Sequence, residues 1–352
     1  MTNAPPPALP LARRRAADAG LRDRAVIAAR TVIPTPGPPP ATGPIVLRRR
    51  TIGSTDLVVY PLALSGNVFG WTADDESTGG ILDAYRDFGG NFIDTADSYA
   101  AGRSEIMIGN WMRRRRNRDD IVLATKVGKS ADNPGVTQEA ITRSVTASLE
   151  RLRCDHIDLL YLHTDDSTVA FEETLLAVDA LVTAGKVRHF GLSDHSSNRL
   201  IEARVITAQM GVAPVAAVQT RYNLLHRSDY EGTVARLAGH LGLGVMPRFA
   251  LASGFLSGKY RTRGDVARSR RQGDISRYLS KRGLRTVAAL EAVAREHHVA
   301  AATIAIAWLL SKPLVVAPVA SASSPDQIAD LMAASSVQLT RHQVALLDGA
   351  SR

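Results

Sequence analysis

The strongest constraint on the fold of this chain is a regular alternation of short apolar segments with amphipathic segments, from about residue 47 to the C-terminus. Each apolar segment has the length of a strand, and residues 157–162 (IDLLYL) are apolar almost throughout. Continuous apolar strands are typical of a parallel sheet whose two faces are both covered by helices. The sequence therefore predicts an α/β protein. The eight predicted strands span residues 61–66, 91–96, 121–127, 157–163, 187–194, 213–219, 244–249 and 314–321.

Amphipathic segments with helical periodicity separate or follow these strands, and a short β-hairpin with its turn at residues 54–56 precedes them. Eight strand–helix pairs in about 300 residues fit a (β/α)8 TIM barrel. The competing fold, a doubly wound open sheet, needs a glycine-rich fingerprint after its first strand. Residues 65–70 (SGNVFG) are not such a fingerprint, so the barrel is predicted. The predicted helices span about residues 75–88, 104–115, 137–152, 169–184, 196–210, 228–241, 283–311 and 325–334.

The N-terminal segment differs in composition from the rest of the chain. Ten of the 17 prolines precede residue 47, and this segment carries six arginines against two aspartates. Such a density of proline favours extended, solvated backbone over a hydrogen-bonded core. The sequence therefore predicts two parts, a disordered Pro/Arg-rich tail over residues 1–46 and a barrel domain over residues 47–352.

Composition excludes several classes of protein. No run of 18 apolar residues is present, so no transmembrane helix and no membrane partner are expected. The single cysteine, Cys154, excludes an internal disulfide framework and a cysteine-built zinc site, and a cytoplasmic location is predicted. The formal net charge is +9, but much of the excess lies in the tail, so a nucleic-acid partner is not expected.

Four side chains near the ends of neighbouring predicted strands could form a proton-transfer unit. They are Asp94, Tyr99, Lys126 and His163. In a (β/α)8 barrel the strand C-termini meet at the active-site face. A nearby ammonium group lowers the pKa of a tyrosine, and a carboxylate keeps that ammonium charged. A histidine can hydrogen-bond a substrate oxygen or relay a proton. Taken singly, each residue also has an ordinary structural interpretation, as a rim tyrosine, a snorkelling lysine, a core histidine or a loop cap.

The order and spacing of several motifs carry a resemblance to a known family over about residues 47–350. The chain resembles the aldo-keto reductase superfamily. The matching stretches are residues 89–99 (GGNFIDTADSY), 102–105 (GRSE), 124–126 (ATK), 158–163 (DLLYLH), 191–193 (GLS), 219–225 (QTRYNLL) and 251–260 (LASGFLSGKY).

The resemblance implies a barrel that binds a nicotinamide cofactor, usually NADPH, and reduces an aldehyde or ketone by hydride transfer. It implies that Tyr99 is the general acid, that Lys126 lowers its pKa, that Asp94 pairs with Lys126, and that His163 orients the carbonyl. A sugar ketone is one candidate substrate by family analogy. Some relatives serve channels, so the alternative is a cofactor-binding regulatory subunit with little turnover. A barrel lyase or isomerase is disfavoured, because no metal-ligand cluster or paired strand-end carboxylates are found.

The resemblance also implies a set of cofactor-binding residues. Ser193 and Gln219 would hold the nicotinamide carboxamide, and residues 251–259 would wrap the pyrophosphate. The departures from the family pattern are Asp194, Arg248, Ser323 and Leu331, and they leave NADH open as an alternative to NADPH. The remaining candidates are Leu251, Ser253, Gly254, Leu256, Gly258 and Lys259 for the pyrophosphate, Ser321, Ser323 and Gln327 as neutral phosphate or ribose partners, and Phe69 and Trp71 for the substrate pocket. The basic stretch 261–271 is either a loop over the cofactor or plain surface.

Overall fold

The computed structural model describes residues 49–352, and its centre is a ring of parallel strands surrounded by helices. Strands β1 and β2 form an antiparallel hairpin, and the other eight pair in parallel in the order β10-β3-β4-β5-β6-β7-β8-β9. The predicted (β/α)8 barrel and its preceding hairpin are confirmed, whereas the predicted tail lies outside the described residues. The strands are β1 (Arg50–Thr51), β2 (Val58–Val59), β3 (Ala63–Ser65), β4 (Phe92–Asp94), β5 (Val122–Val127), β6 (Ile157–Leu162), β7 (Val187–Ser193), β8 (Val215–Arg221), β9 (Gly244–Arg248) and β10 (Val319–Ala320).

The last strand is shorter than predicted and is split where the barrel closes. The first part of residues 314–320 pairs with β9, since Val316 N donates to Val245 O at 2.9 Å. The second part pairs with β3 through Val319 and Ala320. Pro318 lies between them, and proline has no N–H to contribute to a ladder. The continuous strand predicted over residues 314–321 is therefore wrong, although the segment closes the barrel.

Helices cover the outer face of the barrel, and most of them match the predicted segments. The single predicted helix over residues 283–311 is wrong, because His298 adopts a left-handed conformation (φ 54°) and ends one helix before the next begins. None of the helices in residues 49–352 combines the length and apolarity needed to cross a bilayer. The helices are α1 (Asp75–Asp87), α2 (Arg103–Arg115), α3 (Gln138–Leu152), α4 (Phe171–Thr183), α5 (Ser197–Met210), α6 (Thr233–Leu241), α7 (Arg263–Ala267), α8 (Gln272–Ser276), α9 (Lys281–His297), α10 (Ala301–Leu310), α11 (Asp326–Met332) and α12 (Arg341–Ala350).

Side-chain caps explain where several of these helices begin. Asp74 accepts a hydrogen bond from Ser77 N at the start of α1. At the start of α12, Thr340 and Gln343 form a reciprocal capping box. Such caps satisfy the backbone N–H groups that the first helical turn leaves without partners. These helix starts are therefore set by residues close to them in the sequence.

The β1–β2 hairpin closes the N-terminal end of the barrel. Its apolar residues Ile52, Leu57 and Val59 belong to the same buried cluster as the inward-facing side chains of the strands, among them Phe92 and Leu159. These residues are at most 1% exposed. Because one end of the barrel is closed by this plug, the cavity opens at the other end, where the parallel strands finish.

Gly53 in the hairpin turn is held against the ends of β8 and β9. It has a φ of +51°, and a Cβ built on it would lie 2.6 Å from Ala216 O and 2.7 Å from Gly242 O. No real side chain tolerates such contacts with backbone atoms. The hairpin can therefore seat on the barrel only where this position is glycine.

We expect Gly53→Ala to lower the free energy of unfolding by about 2–4 kcal/mol, because it adds a backbone clash to an unfavourable φ. Gly211→Ala is the matched control, since Gly211 also has positive φ (+67°) but nothing lies within 4 Å of its added Cβ. That control is expected to cost only about 1 kcal/mol. Urea unfolding of both variants measures the difference, and equal losses would contradict the close seating of the hairpin.

Candidate functional site

The four residues predicted to form a proton-transfer unit meet at the C-terminal ends of three neighbouring strands. Asp94 is the last residue of β4, Lys126 lies near the end of β5, and His163 directly follows β6. Tyr99 lies on the loop between β4 and α2, which then turns through three successive residues with positive φ at positions 100–102. Because parallel strands end at one face, the barrel brings these side chains together from positions far apart in sequence.

A buried ion pair forms the base of this site. Lys126 Nζ donates to Asp94 Oδ2 at 2.6 Å and to Thr95 O at 2.6 Å, and both charged side chains are only 1% exposed. The second carboxylate oxygen of Asp94 accepts from Gln219 Nε2 at 2.9 Å. Burial lowers the pKa of Lys126, but Asp94 and Tyr99 together raise it by more, so the pKa lies above its ordinary value. The lysine is therefore an ammonium ion at neutral pH.

Tyr99 lies beside this ammonium ion, with Lys126 Nζ 5.0 Å from the centre of its ring. Burial raises the pKa of the Tyr99 hydroxyl, the Lys126 charge lowers it, and Asp94 raises it. Lys126 lowers the pKa of Tyr99, as predicted. Burial raises this pKa by more, so the pKa of Tyr99 lies above its ordinary value. Tyr99 is therefore protonated at neutral pH and has a proton to donate.

His163 meets Tyr99 edge-on, with the ring centres 6.2 Å apart. Burial lowers the pKa of His163 to about 2, and the charges of Lys126, Lys129 and Arg248 act in the same direction. The imidazole is therefore neutral across the physiological range. Its Nδ1 atom is buried and has no hydrogen-bond partner among residues 49–352. A neutral ring with an unused polar atom is suited to hydrogen-bond a ligand, not to carry charge.

A cavity of about 660 Å³ opens next to Tyr99 and His163, and we call it the site cavity. Its size lies within the range of about 300–1,000 Å³ found for small-molecule and cofactor sites. Eleven further residues that the sequence analysis named lie on its wall: Trp71, Gln219, Arg248, Leu251, Ser253, Gly254, Lys259, Ser321, Ser323, Gln327 and Leu331.

Asp94 and Lys126 lie beneath this cavity and do not line it, and five further predicted residues do not line it either. Phe69 and Leu256 are completely buried in the hydrophobic core, because each belongs to a tight turn that directs its side chain inward. Gly258 ends the 3₁₀ segment Ala252–Ser257 with φ 85°. Ser193 is fully buried, and its Oγ has no partner within the described part of the chain. The structure places Phe69 in the core and not on the wall of the site cavity.

Asp194, the fifth of these residues, is bound by Arg248. Arg248 Nε donates to Asp194 Oδ1 at 2.8 Å, and Nη2 lies 2.6 Å from Oδ2. Two parallel hydrogen bonds of this kind make a well-defined guanidinium–carboxylate pair. In the sequence, Asp194 and Arg248 are two separate departures from the family pattern, whereas in the structure they form one neutralised pair at the edge of the cavity.

Several wall residues were not predicted. Asn67 and Thr72 follow β3, and each has a buried side-chain oxygen without a hydrogen-bond partner among the described residues. Arg270 and Arg271 also line the cavity, and they belong to the basic stretch 261–271, for which a loop over the cofactor and plain surface were the two predicted alternatives. For Asn67 and Thr72, the position after the first barrel strand is the signal that could have identified them.

Asp97 is an unexpected buried carboxyl behind the site. It is 2% exposed, and neither of its carboxyl oxygens has a hydrogen-bond partner in residues 49–352. Burial and the nearby carboxylate of Glu105 raise the pKa of Asp97 to about 7. Glu105 itself accepts from Thr125 Oγ1 at 2.6 Å and from Arg151 Nε at 2.7 Å. The sequence does not reveal which of its carboxylates is buried without a partner.

Comparison with known proteins identifies the family of this chain. A family model described as "Aldo/keto reductase family" matches residues 62–352. "Aldo-keto reductase ausK" of Aspergillus calidoustus is 32% identical over 90% of this chain and 84% of the relative. "Putative aryl-alcohol dehydrogenase AAD14" of Saccharomyces cerevisiae is 31% identical over 90% of this chain and 88% of the relative. A "Probable voltage-gated potassium channel subunit beta" of Oryza sativa subsp. japonica is 32% identical over 82% of this chain and 91% of the relative.

The raised pKa of Asp97 predicts a specific dependence of stability on pH. The group is protonated in both states below about pH 3.8, and between there and pH 7 the folded state keeps a proton that the unfolded state loses. The contribution of Asp97 to the free energy of unfolding therefore falls as the pH rises from about 3.8 to about 7. At each pH, the free energy of unfolding of Asp97→Asn is compared with that of the parent chain. We expect this difference to shift in favour of the variant by about 2 kcal/mol or more from pH 4 to pH 8.

Urea unfolding at both pH values, followed by tryptophan fluorescence, measures this change. Asp119→Asn is the control, because Asp119 is an exposed carboxylate. A stability difference between Asp97→Asn and the parent chain that does not vary with pH would contradict the inferred titration of Asp97.

Proposed function

The chain belongs to the aldo/keto reductase family, a family of oxidoreductases, and on this premise we propose that it reduces an aldehyde or ketone to an alcohol with a nicotinamide dinucleotide. The observation that carries the proposal is the buried Lys126–Asp94 pair beside a protonated Tyr99 at the edge of a large cavity. A sugar ketone is one candidate substrate, and the predicted cytoplasmic location stays a prediction.

The site cavity fits a nicotinamide dinucleotide. Ser253 lines the wall, and its buried Oγ has no partner among the described residues, which makes it available to a ligand. Ser253 and Gly254 have positive φ (58° and 94°), which curves the backbone of this segment along the wall. Lys259 on the same wall has no ion-pair partner in the described part of the chain and is suited to a phosphate. Arg248, Gln219, Ser321, Ser323 and Gln327 would complete the binding site.

When bound, the dinucleotide supplies the hydride that reduces the carbonyl carbon. Tyr99 donates its proton to the carbonyl oxygen as negative charge develops there. The Lys126 ammonium stabilises the phenolate that Tyr99 becomes, and Asp94 keeps Lys126 charged and in place. The neutral His163 imidazole hydrogen-bonds the carbonyl oxygen and orients it towards Tyr99.

We propose NADPH as the preferred dinucleotide, with NADH as the alternative. Lys259 on the cavity wall, which forms no ion pair within residues 49–352, favours the molecule with the additional phosphate. Ser321, Ser323 and Gln327 are neutral, however, and Gln327 Oε1 already accepts from Ser323 N at 2.9 Å. Tighter binding of NADH than of NADPH in a titration would overturn the preference.

The alternative function is a cofactor-binding regulatory subunit with little turnover. The similarity to proteins named as potassium channel β subunits keeps this possibility open. The complete set of Asp94, Tyr99, Lys126 and His163 favours an enzyme, because binding alone needs no charged lysine beside a tyrosine. Tight retention of dinucleotide with no turnover on a broad carbonyl panel would favour the alternative.

We expect Tyr99→Phe to lower carbonyl-dependent oxidation of NADPH by at least about 100-fold, because it removes the proton that the carbonyl oxygen receives. The phenyl ring keeps the packing against His163 and Lys126, so dinucleotide affinity should change little. Steady-state kinetics and a fluorescence titration with NADPH provide the two measurements.

Tyr260→Phe is the matched control, because Tyr260 also lines the site cavity but its hydroxyl lies 3.3 Å from Ser269 Oγ. This variant is expected to keep nearly full turnover. Parent-like activity in Tyr99→Phe would remove Tyr99 from the role of general acid.

A further inference from the structure

Tyr161 is a fully buried tyrosine beneath the proton-transfer unit. It lies on β6, two residues before His163, and it is 0% exposed. Its ring belongs to the apolar interior of the barrel, but its hydroxyl oxygen has no hydrogen-bond partner among residues 49–352. A buried hydroxyl without a partner is unfavourable, so its presence requires a reason. The reaction steps proposed for Tyr99, Lys126 and His163 make no use of this hydroxyl.

A glycine on the neighbouring strand lets the Tyr161 ring reach across the barrel interior. Tyr161 pairs with Gly191 of β7, and Gly191 pairs with Ala217 of β8. A Cβ built on Gly191 would lie 2.7 Å from Tyr161 Cε1 and 3.0 Å from Ala217 Cβ. The ring therefore fills the space over Gly191 and extends towards β8, the strand that carries Gln219.

The hydroxyl of Tyr161 has two polar side chains of the site as neighbours. Gln219 Nε2 donates to Asp94 Oδ1 at 2.9 Å, and Lys126 Nζ donates to Asp94 Oδ2 at 2.6 Å. Burial raises the pKa of Tyr161, the charge of Asp94 raises it further, and Gln219 lowers it. The hydroxyl is therefore a neutral O–H donor at physiological pH, next to a carboxylate that can only accept.

We propose that Tyr161 is a positioning residue of the proton-transfer unit and a reserve donor for Asp94, which means that its hydroxyl is unpaired at rest and donates to the carboxylate when Tyr99 ionises. The phenolate of Tyr99 competes with Asp94 for the Lys126 ammonium group. Asp94 is then a buried carboxylate with a weakened partner, and such a group is costly. A hydrogen bond from the Tyr161 hydroxyl offsets this cost and so stabilises the ionised form of Tyr99. Tyr161 keeps its proton throughout.

This role differs from packing in its effect on stability. A hydroxyl that is hydrogen-bonded at rest stabilises the fold, so its removal lowers stability. Removal of an unpaired buried hydroxyl leaves stability unchanged or raises it. Loss of function without loss of stability is therefore the signature of a reserve donor. The inference rests on the proposed function in one respect, since it takes Tyr99 as the group that ionises.

The test compares Tyr161→Phe, which removes the hydroxyl and keeps the ring, with Tyr230→Phe. Tyr230 is also buried, but its hydroxyl donates to Pro313 O at 3.3 Å and its side chain lies off the wall of the site cavity. The pKa of Tyr99 is measured by ¹³C NMR of ring-labelled tyrosine, with Tyr99→Phe used to assign the signal. The other readouts are the single-turnover rate of NADPH oxidation by 4-nitrobenzaldehyde, the affinity for NADPH and the midpoint of urea unfolding.

We expect Tyr161→Phe to raise the pKa of Tyr99 and to slow the single turnover about tenfold, because the ionised form of Tyr99 loses its support. The affinity for NADPH should stay at the parent value, and the urea midpoint should lie at or above that of the parent chain. Tyr230→Phe is expected to keep the parent pKa of Tyr99 and the parent rate.

An unchanged or lower pKa of Tyr99 in Tyr161→Phe overturns the inference. A urea midpoint below that of the parent chain also overturns it, because it would show that the hydroxyl is hydrogen-bonded at rest. A raised pKa with a parent-like rate keeps the role of Tyr161 but removes proton donation by Tyr99 from the proposed function. If the parent chain reduces no member of a carbonyl panel, the proposed function fails, while the pKa and the urea midpoint still decide the role of Tyr161.

Discussion

The chemistry proposed for this chain depends on one buried ion pair, between Lys126 and Asp94. A charge taken from water into a protein interior is costly unless it is paired and hydrogen-bonded. Here Thr95 O and Asp94 Oδ2 accept hydrogen bonds from the Lys126 ammonium group, and Gln219 Nε2 donates to the other carboxylate oxygen of Asp94. The pair is therefore stable as an ion pair, and it places a fixed positive charge against the Tyr99 ring.

The barrel supplies the rigidity that this arrangement requires. Asp94 and Lys126 come from neighbouring strands, and their alignment is set by the parallel pairing of β4 with β5. At the opposite end the hairpin residues Ile52, Leu57 and Val59 fill the barrel interior. The same ladder that packs the core thus fixes the distance between the charged groups, and loops at the open end are left to select the ligand.

Much of this architecture could be predicted, because parallel strands covered on both faces leave long apolar runs, as in residues 157–162. Two local breaks in the backbone were not predicted. The helix break at His298 depends on a single left-handed residue, and Pro318 splits a strand that is apolar on both sides. The partners of individual side chains could not be predicted from the sequence either. The pairing of Asp194 with Arg248 joins positions 54 residues apart, and the isolation of Asp97 is a property of its surroundings.

The most direct test of the account measures the pKa of the Tyr99 hydroxyl by ¹³C NMR of ring-labelled tyrosine, with Tyr99→Phe used to assign the signal. The measurement compares the parent chain with the double variant Lys126→Met/Asp94→Asn, which removes both charges and leaves no unpaired ion in the interior. Because the Lys126 charge lowers this pKa more than Asp94 raises it, the account predicts a higher pKa in the double variant. An unchanged or lower pKa would show that the ion pair does not make Tyr99 a stronger acid.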